Sequence, residues 1–339
     1  MERPEGLPDT VSRAVRADEA AVSTPSLLAD LVTLTKPRII SLLLVTTVAP
    51  MFITPAGLPS WSLVGWVVLG GYLMAGGANA INMWFDRDID DKMTRTRTRP
   101  IPSGRVPAPA ALLFGLTLGA AAFAIFWAMV NPLAAWLALG GLLFYVLVYT
   151  MWLKRSSPQN IVIGGAAGAF PPLVGWAAMT GSIDLGAIYL FAIVFYWTPP
   201  HFWALALNKT RDYGNAGVPM MPNVHGIPEP KRPTPPDPLP PAPLTAMPAP
   251  PGLSGVFYGV AATLLGLRFL QLCWVIVRED GVTPTTWKLY KYSLSYLALL
   301  FVAMAVDRWV PFGQPDRPQA HIVLEQPAEG AGAAAHEDH

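Results

Sequence analysis

The feature that most constrains this chain is a series of apolar runs, each near the roughly 20 residues that a helix needs to cross a bilayer. They fall at about 39–56, 61–84, 107–129, 132–153, 159–180, 184–207, 254–277 and 289–310. Lipid offers no partner to free backbone N–H and C=O groups, so runs of this kind are helices rather than open strands. Composition agrees: 53% of the 339 residues are hydrophobic and 13% charged, too apolar and too poor in charge for a soluble domain. The expected fold class is therefore all-α, a polytopic transmembrane helical bundle with eight spans legible. A formal net charge of +1 without a basic tract points away from nucleic acid. The single cysteine, Cys273, lies in an apolar run. It excludes an internal disulfide and a cysteine metal cluster, and reads as a small buried side chain.

Between the runs the connectors alternate in character. Those at 57–60, 130–131 and 181–183 carry no Lys or Arg, whereas 85–106, 154–158 and 208–253 carry Arg87, Lys92, Arg95, Lys154, Arg155, Lys209, Arg211, Lys231 and Arg232. The positive-inside rule then places the N-terminus and the charged connectors in the cytoplasm. Residues 1–30 read as a disordered cytoplasmic arm, 31–310 as the membrane domain and 311–339 as a disordered tail rich in Pro, Ala, Gly and acids. Ala20 to Thr35 suggests a short interfacial helix leading to the basic anchor Lys36-Pro37-Arg38. Pro171-Pro172 and Pro199-Pro200 are expected to interrupt the fifth and sixth spans. Gly76-Gly77 and Gly164-Gly165 mark close helix packing around a central cavity.

The densest charge follows the second run, in NMWFDRDIDDKMTRTRTRPIPSGRV over residues 82–106. Asn82, Asp86 and Asp90 are four apart, which stacks them on one helix face. Carboxylates stacked in this way call for a cation, and Asp and Asn oxygens suit Mg²⁺ together with substrate phosphates. Lys92, Arg95, Arg97, Arg99 and Arg105 follow, the residue types that grip a diphosphate or a carboxylate. The plainer reading is a solvated connector whose cations are topology signals, but a connector has no need to stack acids. A second cluster follows the sixth run, with His201, Asn208, Lys209, Asp212 and Tyr213, and Asn208 and Asp212 are again four apart. By topology it shares a membrane side with the first. Alone it is equally a polar helix end, and His201 equally a hydrogen-bonded histidine.

These two segments, together with LTKPRIISLLLVTTVAPMF at 34–52 and TPPHFWALALNKTRDYGNAGVPMMP at 198–222, resemble the signatures of the UbiA superfamily of intramembrane prenyltransferases. The wording of the first is most similar to the branch that farnesylates protohaem IX. The resemblance runs over roughly 30–222 and resumes at 252–310. It implies a nine-span bundle around a cavity open to the membrane, with farnesyl diphosphate and haem B as substrates and Mg²⁺ as cofactor. Asn82, Asp86, Asp90 and Asp212 would then be catalytic and hold metal. Arg87, Arg95, Arg99, Asn208, Lys209, Tyr213 and His201 would contact substrate, with His201 near the haem iron. Trp84, Phe85, Tyr149, Trp176, Trp197 and Trp203 are candidates to shield an allylic cation. The resemblance also implies a bacterial cell inner membrane and a haem A synthase or cytochrome oxidase assembly factors as partners. An aromatic or quinone-precursor acceptor is the alternative. A cation-coupled transporter is a more distant one, since transporters place such acids near the bilayer midplane.

One stretch departs from this pattern. Between 223 and 253 about four in ten residues are proline, which no spanning helix tolerates. On composition it is a polyproline linker, and a local shift of reading frame in the coding sequence would account for a lost seventh span.

Overall fold

The structure is a computed structural model that describes residues 25–219, 255–279 and 282–308. All its regular elements among these residues are helical. Helix α1 (Leu27–Thr35) opens on Ser26, whose hydroxyl accepts from the Ala29 N–H. It turns by 45° at Lys36 into α2 (Pro37–Ile53). Lys36 takes a left-handed conformation, φ 57°, unusual for a residue with a side chain. Pro37 then starts α2, where its missing N–H costs nothing.

The remaining helices are α3 (Trp61–Phe85), the short α4 (Arg87–Lys92), α5 (Ala108–Met129), α6 (Pro132–Ser156), α7 (Asn160–Thr180), α8 (Leu185–Asn208), the short α9 (Thr210–Asn215), α10 (Val256–Arg278) and α11 (Pro284–Asp307). Among the described residues seven are long and apolar enough to cross a membrane, and eight if the bent α1–α2 pair counts as one span. Ser60, Asn131 and Asp184 cap α3, α6 and α8, so the turns between runs are written in ordinary capping chemistry.

In lipid the outer face gains nothing from burial, so cohesion rests on close van der Waals packing of inner faces. Glycines set the distance. A Cβ on Gly77 of α3 would stand 2.6 Å from the Gly115 carbonyl oxygen of α5, and one on Gly175 of α7 1.7 Å from the Thr47 carbonyl oxygen of α2. Leu190, Ile193, Tyr296, Leu300 and Phe301 fill the largest core between α8 and α11. Trp61, Trp136, Leu113, Leu264 and Trp274 stay exposed, as a lipid-facing surface requires.

The spans from α2 to α8 alternate direction between two ends. One end gathers Lys36, the 85–106 connector, Lys154 to Asn160, Asn208 to Val218 and the start of α11, where the Thr286 hydroxyl donates to Asn208 Oδ1 at 2.8 Å. The other holds the end of α2, the start of α10 and the end of α11, where Asp307 accepts from Tyr258 N–H and Arg308 donates to the Ile53 carbonyl. Consequently α8 and α10 run in the same direction, and residues 220–254 must connect opposite ends of the bundle.

The proline pairs correct one expectation. Both lie inside uninterrupted helices, and the break in the fifth span falls instead near Gly165, between Asn160–Gly164 and Ala166–Thr180. The short helix before the anchor is present as α1, and Gly77 and Gly164 are close-approach points, a Cβ on Gly164 meeting Tyr149 at 2.3 Å. Of the arm expected over 1–30, residues 1–24 lie outside the described residues and Leu27 onward is helical, in α1; the proline-rich stretch 223–253 and the tail 311–339 also lie outside the described residues.

Candidate active site

The acid string forms at the end of α3. The helix stops at Asp86, yet the Asp86 N–H bonds the Asn82 carbonyl at 2.9 Å and the Asp90 N–H bonds the Asp86 carbonyl at 2.8 Å. The four-residue step therefore survives the break, and Asn82, Asp86 and Asp90 are 4%, 1% and 3% exposed, while Asp88, out of step, is exposed. Two ionised carboxylates are not buried without partners. Asn82 Nδ2 donates to Asp86 Oδ2 at 2.7 Å, Lys154 bonds the same Oδ2, and Arg99 donates to Asp90 Oδ2 at 2.6 Å. Lys36 donates to Asn82 Oδ1 at 2.9 Å. Arg155 holds Asp88 through two nitrogens, and that hydrogen-bonded pairing pulls the Asp88 carboxyl down to about 2.

A wide helical turn supplies part of this set. Phe144–Leu153 within α6 is π-helical, closing i→i+5. In this stretch the Thr150 hydroxyl donates to the Tyr145 carbonyl five residues earlier at 2.9 Å and accepts from Asn82 Nδ2 at 3.1 Å. Tyr145 and Tyr149 stack with ring centroids 5.5 Å apart.

Next to this cluster the helices enclose a cavity of about 560 Å³, lined mainly by apolar groups. Arg38, Asn79, Tyr149, Trp197 and His201 are among its walls. His201 is sandwiched between Trp197 and Tyr290, at 4.3 and 4.9 Å between centroids. The Ser293 hydroxyl donates its one proton to the Tyr290 carbonyl at 2.7 Å, so His201 Nδ1–H donates to Ser293 Oγ at 2.6 Å. That arrangement leaves Nε2 with a free lone pair.

Both motifs meet at this end, as Ile89 and Met93 of the first pack with Ala206, Ala216 and Val218 of the second. The remaining expected residues are less concentrated. Asn208 uses its amide structurally, donating to the Ala204 carbonyl at 2.7 Å and accepting from Thr286. Lys209 sits 5.5 Å over the Trp287 ring, and Arg87 donates to the Trp84 carbonyl on the outer side. Arg95 is exposed, Asp212 is half-buried on α9, and the Tyr213 side chain lies outside what the structure describes. Of the six aromatic candidates, Tyr149 and Trp197 line the cavity. Trp176 instead donates to Asp184 at the other end, and Trp84 and Phe85 pack on each other.

For a divalent cation the donor chemistry fits, with hard oxygens from Asn82, Asp86 and Asp90. Asp86 Oδ1 is buried and accepts no hydrogen bond, with the Arg155 guanidinium 3.6 Å away. Among the described residues no three His, Cys, Asp or Glu side chains stand together as a ready metal cage, so Asp212 is not gathered with the first string. Lys36, Lys154 and Arg155 were missed as site residues in the sequence, where they read as anchors and topology signals. Their only local signal was a basic pair directly after an apolar run.

Comparison with known proteins falls on the same regions. Residues 42–297 match the model of the UbiA prenyltransferase family. A protein of Roseiflexus castenholzii named protoheme IX farnesyltransferase is 56% identical over 304 residues, covering 89% of this chain and 57% of its own length. One of the same name from Granulibacter bethesdensis is 46% identical, covering 83% of this chain and 91% of its own length. The chain thus spans little more than half of the first relative and nearly all of the second. Among solved structures, a UbiA homologue from Archaeoglobus fulgidus bound to GPP and Mg²⁺ superposes with TM-score 0.57 at 16% identity, over 83% of this chain and all of that one.

Proposed function

This chain belongs to the UbiA prenyltransferase family, and from that premise we propose that it is an integral membrane farnesyltransferase converting haem B to haem O. The observation that carries the reading is the buried Asn82–Asp86–Asp90 string beside a 560 Å³ apolar cavity whose wall includes His201. The name shared by the relatives favours haem over an aromatic or quinone-precursor acceptor.

In this reading Asn82, Asp86 and Asp90 hold Mg²⁺ at the end of α3, and Asp212 on α9 holds a second ion from the facing motif. The chemistry the metal supplies is neutralisation of the leaving diphosphate. Arg99, Arg95, Arg87 and Lys209 provide cationic donors for diphosphate oxygens or haem propionates, with Asn208 and Tyr213 beside them. The allylic C–O bond breaks and diphosphate leaves, a vinyl group of the porphyrin attacks the farnesyl cation, and water adds to the porphyrin-side cation and loses a proton to give a hydroxyethylfarnesyl group. The apolar cavity keeps water from the allylic cation until the vinyl group has reacted. Tyr149 and Trp197 in the cavity wall are the aromatic groups that would shield the cation. His201 Nε2 is the nitrogen offered to the haem iron, oriented by Ser293. By the positive-inside rule the motif end faces the cytoplasm, in a bacterial cell inner membrane.

The test is a membrane assay with haem B, farnesyl diphosphate and Mg²⁺, product mass being read by chromatography. A haem mass raised by farnesyl plus hydroxyl supports the reading. Farnesyl transfer to an aromatic precursor, with haem left unchanged, replaces it with the alternative acceptor.

A further inference from the structure

Each oxygen-bearing side chain of the string already holds a basic side chain of the same molecule: Lys36 on Asn82, Lys154 on Asp86, Arg99 on Asp90. These are the oxygens that the function proposed above assigns to metal. We propose that Lys154 is an exchangeable counter-cation, bound to Asp86 before substrate arrives and to the diphosphate afterwards, so that metal and diphosphate bind as one event. The inference rests on that functional reading and goes beyond it in assigning a role to Lys154 and an order to binding.

Asp86 is 1% exposed, and its Oδ2 is shared by Lys154 and Asn82 while Oδ1 has no hydrogen bond. A divalent cation approaching Oδ1 would sit close to the Lys154 ammonium at low dielectric, where like charges repel strongly. Free metal therefore binds weakly. A diphosphate changes the balance, because it offers the ammonium a second anion as the metal takes the first. Lysine suits such a transfer, being a point charge on a flexible stem with donors that rotate, whereas Arg99 is a rigid fork. Asp86 is not abandoned in the exchange, since Arg155 lies 3.6 Å from Oδ1. Lys154 directly follows the π-helical turn, which ends at Leu153, and its ammonium reaches Asp86 Oδ2. Coupling of this kind is reciprocal: whatever the diphosphate adds to metal affinity, the metal adds to diphosphate affinity.

The experiment uses the full chain in lipid nanodiscs, with Mn²⁺ followed by electron paramagnetic resonance and farnesyl S-thiolodiphosphate as a slowly ionising diphosphate. The wild type is expected to bind Mn²⁺ at least tenfold more tightly with the analogue than without it. Lys154→Met should bind Mn²⁺ alone at least tenfold more tightly than wild type, yet bind the analogue at least tenfold more weakly. Lys154→Gln keeps a hydrogen bond to Asp86 and should move both affinities in the same directions, which secures the test if the methionine variant does not assemble. A merely structural lysine would lower both affinities or neither. Neutral variants that bind free Mn²⁺ no more tightly than wild type overturn the exchange alone. A wild type that binds no Mn²⁺ even with the analogue overturns the metal site of the proposed function as well.

Discussion

At the residue scale Asp86 joins the acid string to the buried lysine, its Oδ2 bonded by both Asn82 and Lys154. Replacing it by Ala leaves the Lys154 ammonium buried without its partner, a loss of about 3–5 kcal/mol for a broken buried pair. Asp86→Asn is therefore the cleaner variant: it keeps a hydrogen-bond acceptor for Lys154 and removes the charge. It is expected to lower kcat at least about 100-fold while the detergent-solubilised protein remains monodisperse, and unchanged turnover would remove the metal–diphosphate reading. The second prediction concerns His201. Ser293→Ala deletes the acceptor that fixes the proton on Nδ1, so the KM for haem B should rise about tenfold with the affinity for farnesyl diphosphate unchanged. Equal changes in both substrates would reduce Ser293 to a packing role. The acid string was legible because a spacing of four is local and survives the break at Asp86. Lys36 and Lys154 were not, because they reach their partners from 46 and 68 residues away along the chain. Nothing in a short basic connector says which carboxylate it will meet.

At the scale of elements, run length and capping residues were enough. The eight apolar runs became α2, α3, α5, α6, α7, α8, α10 and α11, with ends within a few residues except at α11, which begins five residues early at Pro284. Thr283 caps it there, and the first turn carries Thr286, the contact to Asn208. Proline was misread as a breaker in α7 and α8: neighbouring helices in a bundle can satisfy the carbonyls that proline frees, so the helix continues. The π-helical turn of α6 had no signature in the pattern of apolar residues, since a span that is apolar all round shows no period to lose. It carries a prediction of its own. Deleting Leu147, which is half exposed on the outer face, removes one residue from the wide turn and changes the angle between Lys154 and Tyr145. Prenyl transfer should fall to background while helix content by circular dichroism stays at the wild-type level. Full activity in the deletion variant would show that the wide turn does not position the site.

At the scale of the whole molecule the question is parity. The charged connectors 85–106 and 154–158 lie at the same end as Arg278, Lys288 and Lys291, so the asymmetry of Lys and Arg extends across α10 and α11 only if one further crossing intervenes. The described helices demand that crossing on separate grounds. Asn208 at the end of α8 touches Thr286 at the start of α11, and Asp307 at the end of α11 caps the start of α10. Two helices running the same way in one bundle need a connection that spans its height, about 30 Å of hydrocarbon. The 35 residues of 220–254 exceed that height even at roughly 3.1 Å each, and their proline content, read from the sequence, runs against the spanning helix that the resemblance implies. That conflict could not be resolved from composition, because a proline-rich linker and a frame-shifted span read alike without knowledge of where the flanking helices end. Single cysteines at Lys92, Leu58 and Val282, placed in a Cys273→Ser background and probed with a membrane-impermeant maleimide, decide the parity. Lys92 and Val282 should label from the same face of the membrane and Leu58 from the other. Labelling of Val282 together with Leu58 would mean that 220–254 stays on one side and that α10 and α11 are inverted relative to the arrangement described. If parity holds, sequencing the coding DNA through this stretch separates the two remaining origins: a clean in-frame read makes the proline-rich segment itself the seventh connection, and a frameshift restores a span.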